Sequence, residues 1–83
     1  MHILTTCDRA VLRISTLPTG AEWGEYYDPS EWDSSRQAQS AIAVARQRGL
    51  VERGAYALTD AGTERALWLM EQPEHAQRSL VRR

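Results

Sequence analysis

The stretch RQRGLVERGAYALTDAG, residues 46–62, decides how this 83-residue chain folds. Gly49 supplies the position after a helix where a left-handed backbone ends it. The runs "LVE" and "AYAL" then flank "RG", and Val, Tyr and Leu suit short extended segments, so a small β-hairpin is expected. With Arg53-Gly54 as a two-residue turn, Val51 faces Tyr56 and Leu50 faces Ala57. A three- or four-residue loop fits equally well, because the turn is not of the favoured Asn-Gly type. Thr59 then caps a final helix, with Asp60 near its positive end. The stretch is a helix stop, a minimal hairpin and a helix start.

Upstream, Ser34 and Gln37 have capping-box spacing. Behind them Ala38, Ala41, Ile42 and Ala45 make a narrow stripe of small apolar residues, predicting a helix over Ser35 to Arg48. Thr19 and Glu22 form another box, opening a short helix from Gly20 to Tyr27 that Asp28-Pro29 closes. Gly24 costs that helix ~1 kcal/mol relative to Ala. Further back, Thr5 and Asp8 box a helix from Thr6 to Leu17 with Cys7, Ala10, Val11, Ile14 and Leu17 on one face, and Pro18 stops it. Downstream, the last helix runs through "ALWLM" to Pro73. Residues 1–72 thus read as one domain, and 73–83 as a tail, helical or frayed.

Hydrophobic content of 42% is ordinary for a globular protein, and no run approaches the ~20 apolar residues of a membrane span. The N-terminus lacks a basic start and a sustained apolar run, so no signal peptide and a cytoplasmic location are expected. Cys7 is the single cysteine, placed on an apolar helix face as a buried, inert thiol. His2 and His75 stand at opposite ends beside no ligand-spaced carboxylates, so neither a metal nor another cofactor is expected. There is no Ser-His-Asp set, paired-His site or Gly-rich phosphate loop, which argues against an enzyme.

The order helix, helix, helix, hairpin, helix is that of a winged helix-turn-helix domain. Gly49-Leu50-Val51 and Leu58-Thr59-Asp60-Ala61-Gly62 resemble the segment from third helix through wing to the next helix in MarR-like and PadR-like transcriptional regulators. The resemblance covers about Ala38 to Ala66 and implies a mainly α fold with a small β-hairpin. It also implies binding to double-stranded DNA and dimerisation through terminal helices. Two departures stand out: the wing is short, and the region of the second helix is acidic.

In that arrangement the helix Ser35–Arg48 enters the major groove. Arg36, Ser40, Ala43 and Gln47 lie opposite its apolar stripe, with Gln39 and Arg46 beside them. Arg pairs with guanine and Gln with adenine, each worth ~1–3 kcal/mol of discrimination. Ser34 and Ser35 are placed to donate to phosphate at the helix start, and Arg53 to touch DNA from the wing tip. Four apolar residues in a row, Leu67 to Met70, exceed one core-facing stripe, which assigns Trp68 and Leu69 to a homodimer interface unless the tail covers them.

The competing reading is a protein-binding winged helix of the phage inhibitor or adaptor type. Residues 22–33 carry five acids, no base, two Trp and two Tyr. In this reading Trp23, Glu25, Tyr27, Glu31, Trp32 and Asp33 meet a basic partner, with aromatic anchors and acidic steering. A net charge of −1 counts against DNA, whose affinity comes largely from neutralised phosphates.

Overall fold

A computed structural model describes residues 4–71 of the chain. It is mainly helical: α1 (Thr6–Ser15), α2 (Trp23–Tyr26), α3 (Ser35–Gln47) and α4 (Asp60–Met70). The tail 73–83 and the expected end of the last helix at Pro73 lie outside the described residues.

Each long helix begins on the cap that its sequence offers. The Thr5, Ser34 and Thr59 side chains accept from the backbone N–H of Asp8, Gln37 and Gly62 respectively. These bonds satisfy amides that a helix start leaves unpaired. At α3 the box is modified, because Gln37 Oε1 accepts from the backbone of Asp33 at 2.9 Å rather than from Ser34.

The second helix is much shorter than expected. Its capping box is Glu22 with Glu25, not Thr19 with Glu22, and Glu25 Oε1 accepts from Glu22 N at 2.5 Å. Residues 18–21 form a turn closed by Ala21 N donating to Pro18 O, so the helix starts three residues late. Downstream, Asp28 accepts from both the backbone and the hydroxyl of Ser30 and builds a turn instead of extending the helix. Helix α1 stops at Ser15, where Thr16 donates back to Arg13 and Leu17 to Ile14 in a tightened last turn.

α1 packs against both α3 and α4. Small residues make this close approach possible: Ala10, Ala38, Ala41, Ala45 and Ala66 are all buried. Val11, Ile14, Ile42 and Val51 fill between them, and burying each such side chain is worth ~1.5–3 kcal/mol. Tyr26 is the largest fully buried residue, and its hydroxyl donates to Ala38 O at 2.8 Å, tying α2 to α3.

Helix α3 ends on Gly49 in the left-handed region, φ 75°. Leu50 N donates to Ala45 O and Gly49 N to Arg46 O, which is the double bond pattern of a Schellman cap. Among the described residues the expected hairpin reduces to one isolated antiparallel bridge, Val51 with Leu58. Glu52 N donates to Ala57 O and Thr59 N to Leu50 O. Of the turns the sequence allows, the chain takes the four-residue loop, 53–56, and not the two-residue turn on Arg53-Gly54 that pairs Val51 with Tyr56 and Leu50 with Ala57. The register moves by two residues, so Val51 keeps its inward face and is buried.

Candidate nucleic-acid interface

Because the stripe Ala38, Ala41, Ile42 and Ala45 is buried, the opposite face of α3 is turned outward. Ser34, Ser35, Arg36, Gln39, Ser40, Ala43 and Gln47 are all exposed. Thirteen helical residues span roughly 20 Å, and a helix of this kind fits a major groove about 12 Å wide. Ser34 Oγ is engaged as a cap acceptor, which leaves its hydroxyl proton free to donate.

Arg46 does not join this face. Its guanidinium donates to Glu52 O at 3.0 Å and Ala55 O at 2.9 Å, and it lies 5.2 Å from the Tyr56 ring centroid. This side chain pins the 53–56 loop to the end of α3. The spacing that places Arg46 near the outward face also places it against the loop, and main-chain acceptors hold it there. Arg53 is exposed on that loop, as expected.

The same pattern recurs among the arginines of the described residues. Arg9 donates to Glu31 O, Arg13 donates to Tyr26 O and Glu25 O, and Arg65 forms a two-point ion pair with Asp8. Four of the seven arginines between residues 4 and 71 therefore hold the fold. Arg36 and Arg53 carry no hydrogen bond or ion pair among the described residues. Arg48 is exposed at the end of α3.

The acidic aromatic segment is largely consumed by structure. Trp32 is only 4% exposed and closes the core beside Tyr26, so it is not the loop-borne interface anchor that the sequence suggested. Trp23 and Tyr27 are half-buried and stack on each other, with ring centroids 5.4 Å apart and planes 5° apart. Trp23 also faces Tyr56 across to the loop. Glu22, Glu25 and Asp28 serve as caps for nearby backbone, and the hydrogen bonds from Ser30 hold the Asp28 pKa below its usual value. Glu25, Glu31 and Asp33 remain exposed.

On α4, Leu69 is 0% exposed and belongs inside the protomer, not at a dimer interface. Leu67, Trp68 and Met70 are the exposed apolar residues, because the core-facing spacing selects Gly62, Ala66 and Leu69. Arg65 stacks 4.6 Å from the Trp68 ring centroid while it pairs with Asp8.

The Asp8–Arg65 pair gives no signal in helix periodicity, since Asp8 reads as a capping residue on a solvated turn. It is 3% exposed. Burial pushes its carboxyl up, but the Arg65 hydrogen bonds and charge and the bonds from Thr5 more than reverse this, so its pKa lies below the ordinary carboxylate value. Cys7 is buried, and that burial pushes its thiol pKa up.

Among the described residues, no group of three or more metal-binding side chains comes together, and no helix is long and apolar enough to cross a membrane. No protein-family model, curated protein or solved structure matches the chain.

Proposed function

We propose that the protein is a small DNA-binding regulator with a winged helix-turn-helix arrangement, acting in the cytoplasm. Helices α2 and α3 form the helix pair, residues 50–59 serve as a minimal wing, and α3 reads the major groove. The observation that carries this reading is the outward face of α3, where Arg36, Gln39, Ser40 and Gln47 are all exposed. Arg36 is free to pair with guanine there, whereas four of the other six arginines among the described residues are engaged internally. Gln39 and Gln47 supply amide pairs suited to adenine.

The protein-binding alternative loses its best anchors, since Trp32 is buried and Trp23 is stacked on Tyr27. Of its acids Glu25 is occupied in capping, while Glu31 and Asp33 stay exposed. What still favours it is charge, because residues 4–71 carry ten acids against seven arginines. With so few outward cations, binding by one protomer is weak, and its log–log salt slope is about −2 to −3. A homodimer that presents two α3 helices overcomes this, and Leu67, Trp68 and Met70 are the exposed apolar residues through which α4 pairs with its copy.

The test is selection of duplexes from a random pool, followed by Arg36→Ala and Gln47→Ala. Each substitution should weaken the selected site by ~1–3 kcal/mol and relax preference at one base position. Unchanged affinity in both variants would remove the face assignment. Reversing Glu25 and Glu31 to Arg should leave or improve DNA binding; in the alternative reading it abolishes capture of a basic partner.

A further inference from the structure

We propose that the groove between α1 and residues 28–32 is a phosphate-binding site. The groove has a volume of about 600 Å³, and its walls include Arg9, Leu12, Arg13, Ser30, Glu31 and Trp32. Arg9 and Arg13 are one helical turn apart on α1, so their side chains emerge on the same side. Both guanidiniums donate to main-chain carbonyls: Arg9 to Glu31, Arg13 Nε to Tyr26 at 3.1 Å and Arg13 Nη2 to Glu25 at 2.7 Å. Carbonyl oxygens are neutral, so among the described residues two positive charges have no ion-paired carboxylate at the mouth of one groove. A guanidinium also has more N–H donors than these bonds use.

Trp32 adds a third feature. Arg9 stacks 4.8 Å from its ring centroid, which fixes the guanidinium plane at the groove wall. Its indole Nε1 is shut off from solvent and has no hydrogen-bond partner among the described residues, so the ring senses the groove through the stacked Arg9 guanidinium. The two adjacent guanidinium forks keep further N–H groups toward the groove, and together they match a tetrahedral dianion with several acceptor oxygens. Glu31 is the acid among the lining residues, and Asp28 lies within the field of Arg13. These two set the electrostatic limit on affinity, which belongs in the millimolar range for phosphate alone.

The phosphate is either one of the DNA backbone or part of a free phosphorylated molecule. Trp32 is two residues before the Ser34 cap of α3, so a phosphate held here anchors the segment that aims the reading helix. Only the DNA source rests on the function proposed above.

Amide and side-chain NMR of the full chain tests the site, with inorganic phosphate titrated at constant ionic strength. The Trp32 indole N–H and the Nε–H signals of Arg9 and Arg13 should move together and saturate, while the Trp23 and Trp68 indoles stay in place. A stationary Trp32 signal, or an equal unsaturated drift of all three indoles, would overturn the proposal. So would acetate reproducing the same shifts at the same concentration. Arg9→Gln should weaken the phosphate response about tenfold, the worth of one charge-assisted hydrogen bond. Arg9→Lys keeps the charge and tests the fork if the Gln variant is unfolded.

A duplex titration then separates the sources. If duplex DNA moves the Trp32 indole and Arg13→Gln lowers the salt slope by about one, the backbone supplies the phosphate. If inorganic phosphate saturates but no duplex binds, the site stands as one for a free phosphorylated molecule and the DNA-reading function fails.

Discussion

Gly62 has room for a hydrogen and nothing larger. A Cβ there would lie 1.8 Å from the Leu50 carbonyl oxygen, which is backbone and cannot rotate away. Thr59 works beside it: its hydroxyl donates to Gly49 O at 2.6 Å and accepts from Gly62 N at 3.0 Å. The Leu-Thr-x-x-Gly pattern is therefore a joint that presses the start of α4 onto the end of α3. Gly62→Ala should cost about 3 kcal/mol in denaturant unfolding, as overpacking against fixed atoms does. Gly24→Ala, where a Cβ meets open space inside α2, should instead stabilise by ~0.5–1 kcal/mol. Equal effects of the two would contradict the joint. Asp8 gives a prediction of a different kind. Its folded carboxyl has a lowered pKa, so as pH falls the unfolded chain takes up the proton first. The contribution of the Arg65 pair is fully present above the unfolded value near ~4 and is lost as pH falls through the folded value. Asp8→Asn should cost about 1.5–3 kcal/mol at pH 7 and flatten the acid side of the stability–pH curve. A variant curve parallel to that of the parent down to acid pH would remove Asp8 as the cause.

At the level of elements, α3 holds two arginines whose roles separate cleanly. Arg46→Ala should free the 53–56 loop, lower stability by about 1–2 kcal/mol and shift the Tyr56 ring signals, because two carbonyl bonds and the ring contact are lost. Arg36→Ala should leave thermal unfolding unchanged within ~0.5 kcal/mol, since its side chain is exposed and unengaged. Both roles come from the same sequence, yet only part of this was legible there. The caps at Thr5, Ser34 and Thr59, the stop at Gly49 and the apolar stripe of α3 are local features, so spacing alone located three long helices and the outward face. The short α2 was not legible, because two overlapping Glu and Thr boxes compete and the winner depends on where Tyr26 reaches Ala38. The loop register was left open between a two-residue turn and a longer loop for a similar reason: Arg46 and the Leu50–Thr59 bond fix it from outside the turn. Trp32, Leu69 and the Asp8–Arg65 pair are contacts between elements, which periodicity along one element cannot reveal.

On the scale of the whole molecule, four of the seven arginines among the described residues are spent on cohesion. If the proposed DNA reading holds, affinity should then depend on pairing of two protomers more than on one alone. Leu67→Ser should shift sedimentation toward monomer and weaken duplex binding in parallel, since each α3 then acts alone. Unchanged sedimentation would show that the exposed residues of α4 do not carry a dimer. The central claim, that the outward face of α3 meets DNA, is tested most directly by mapping backbone amide shifts during titration with mixed-sequence duplex at low salt. Shifts confined to residues 34–47 and the Arg53 loop, with the largest at Arg36, Gln39, Ser40 and Gln47, are the predicted result. No shift below ~100 μM duplex, where nonspecific binding already appears, would contradict it, as would shifts centred on residues 22–33.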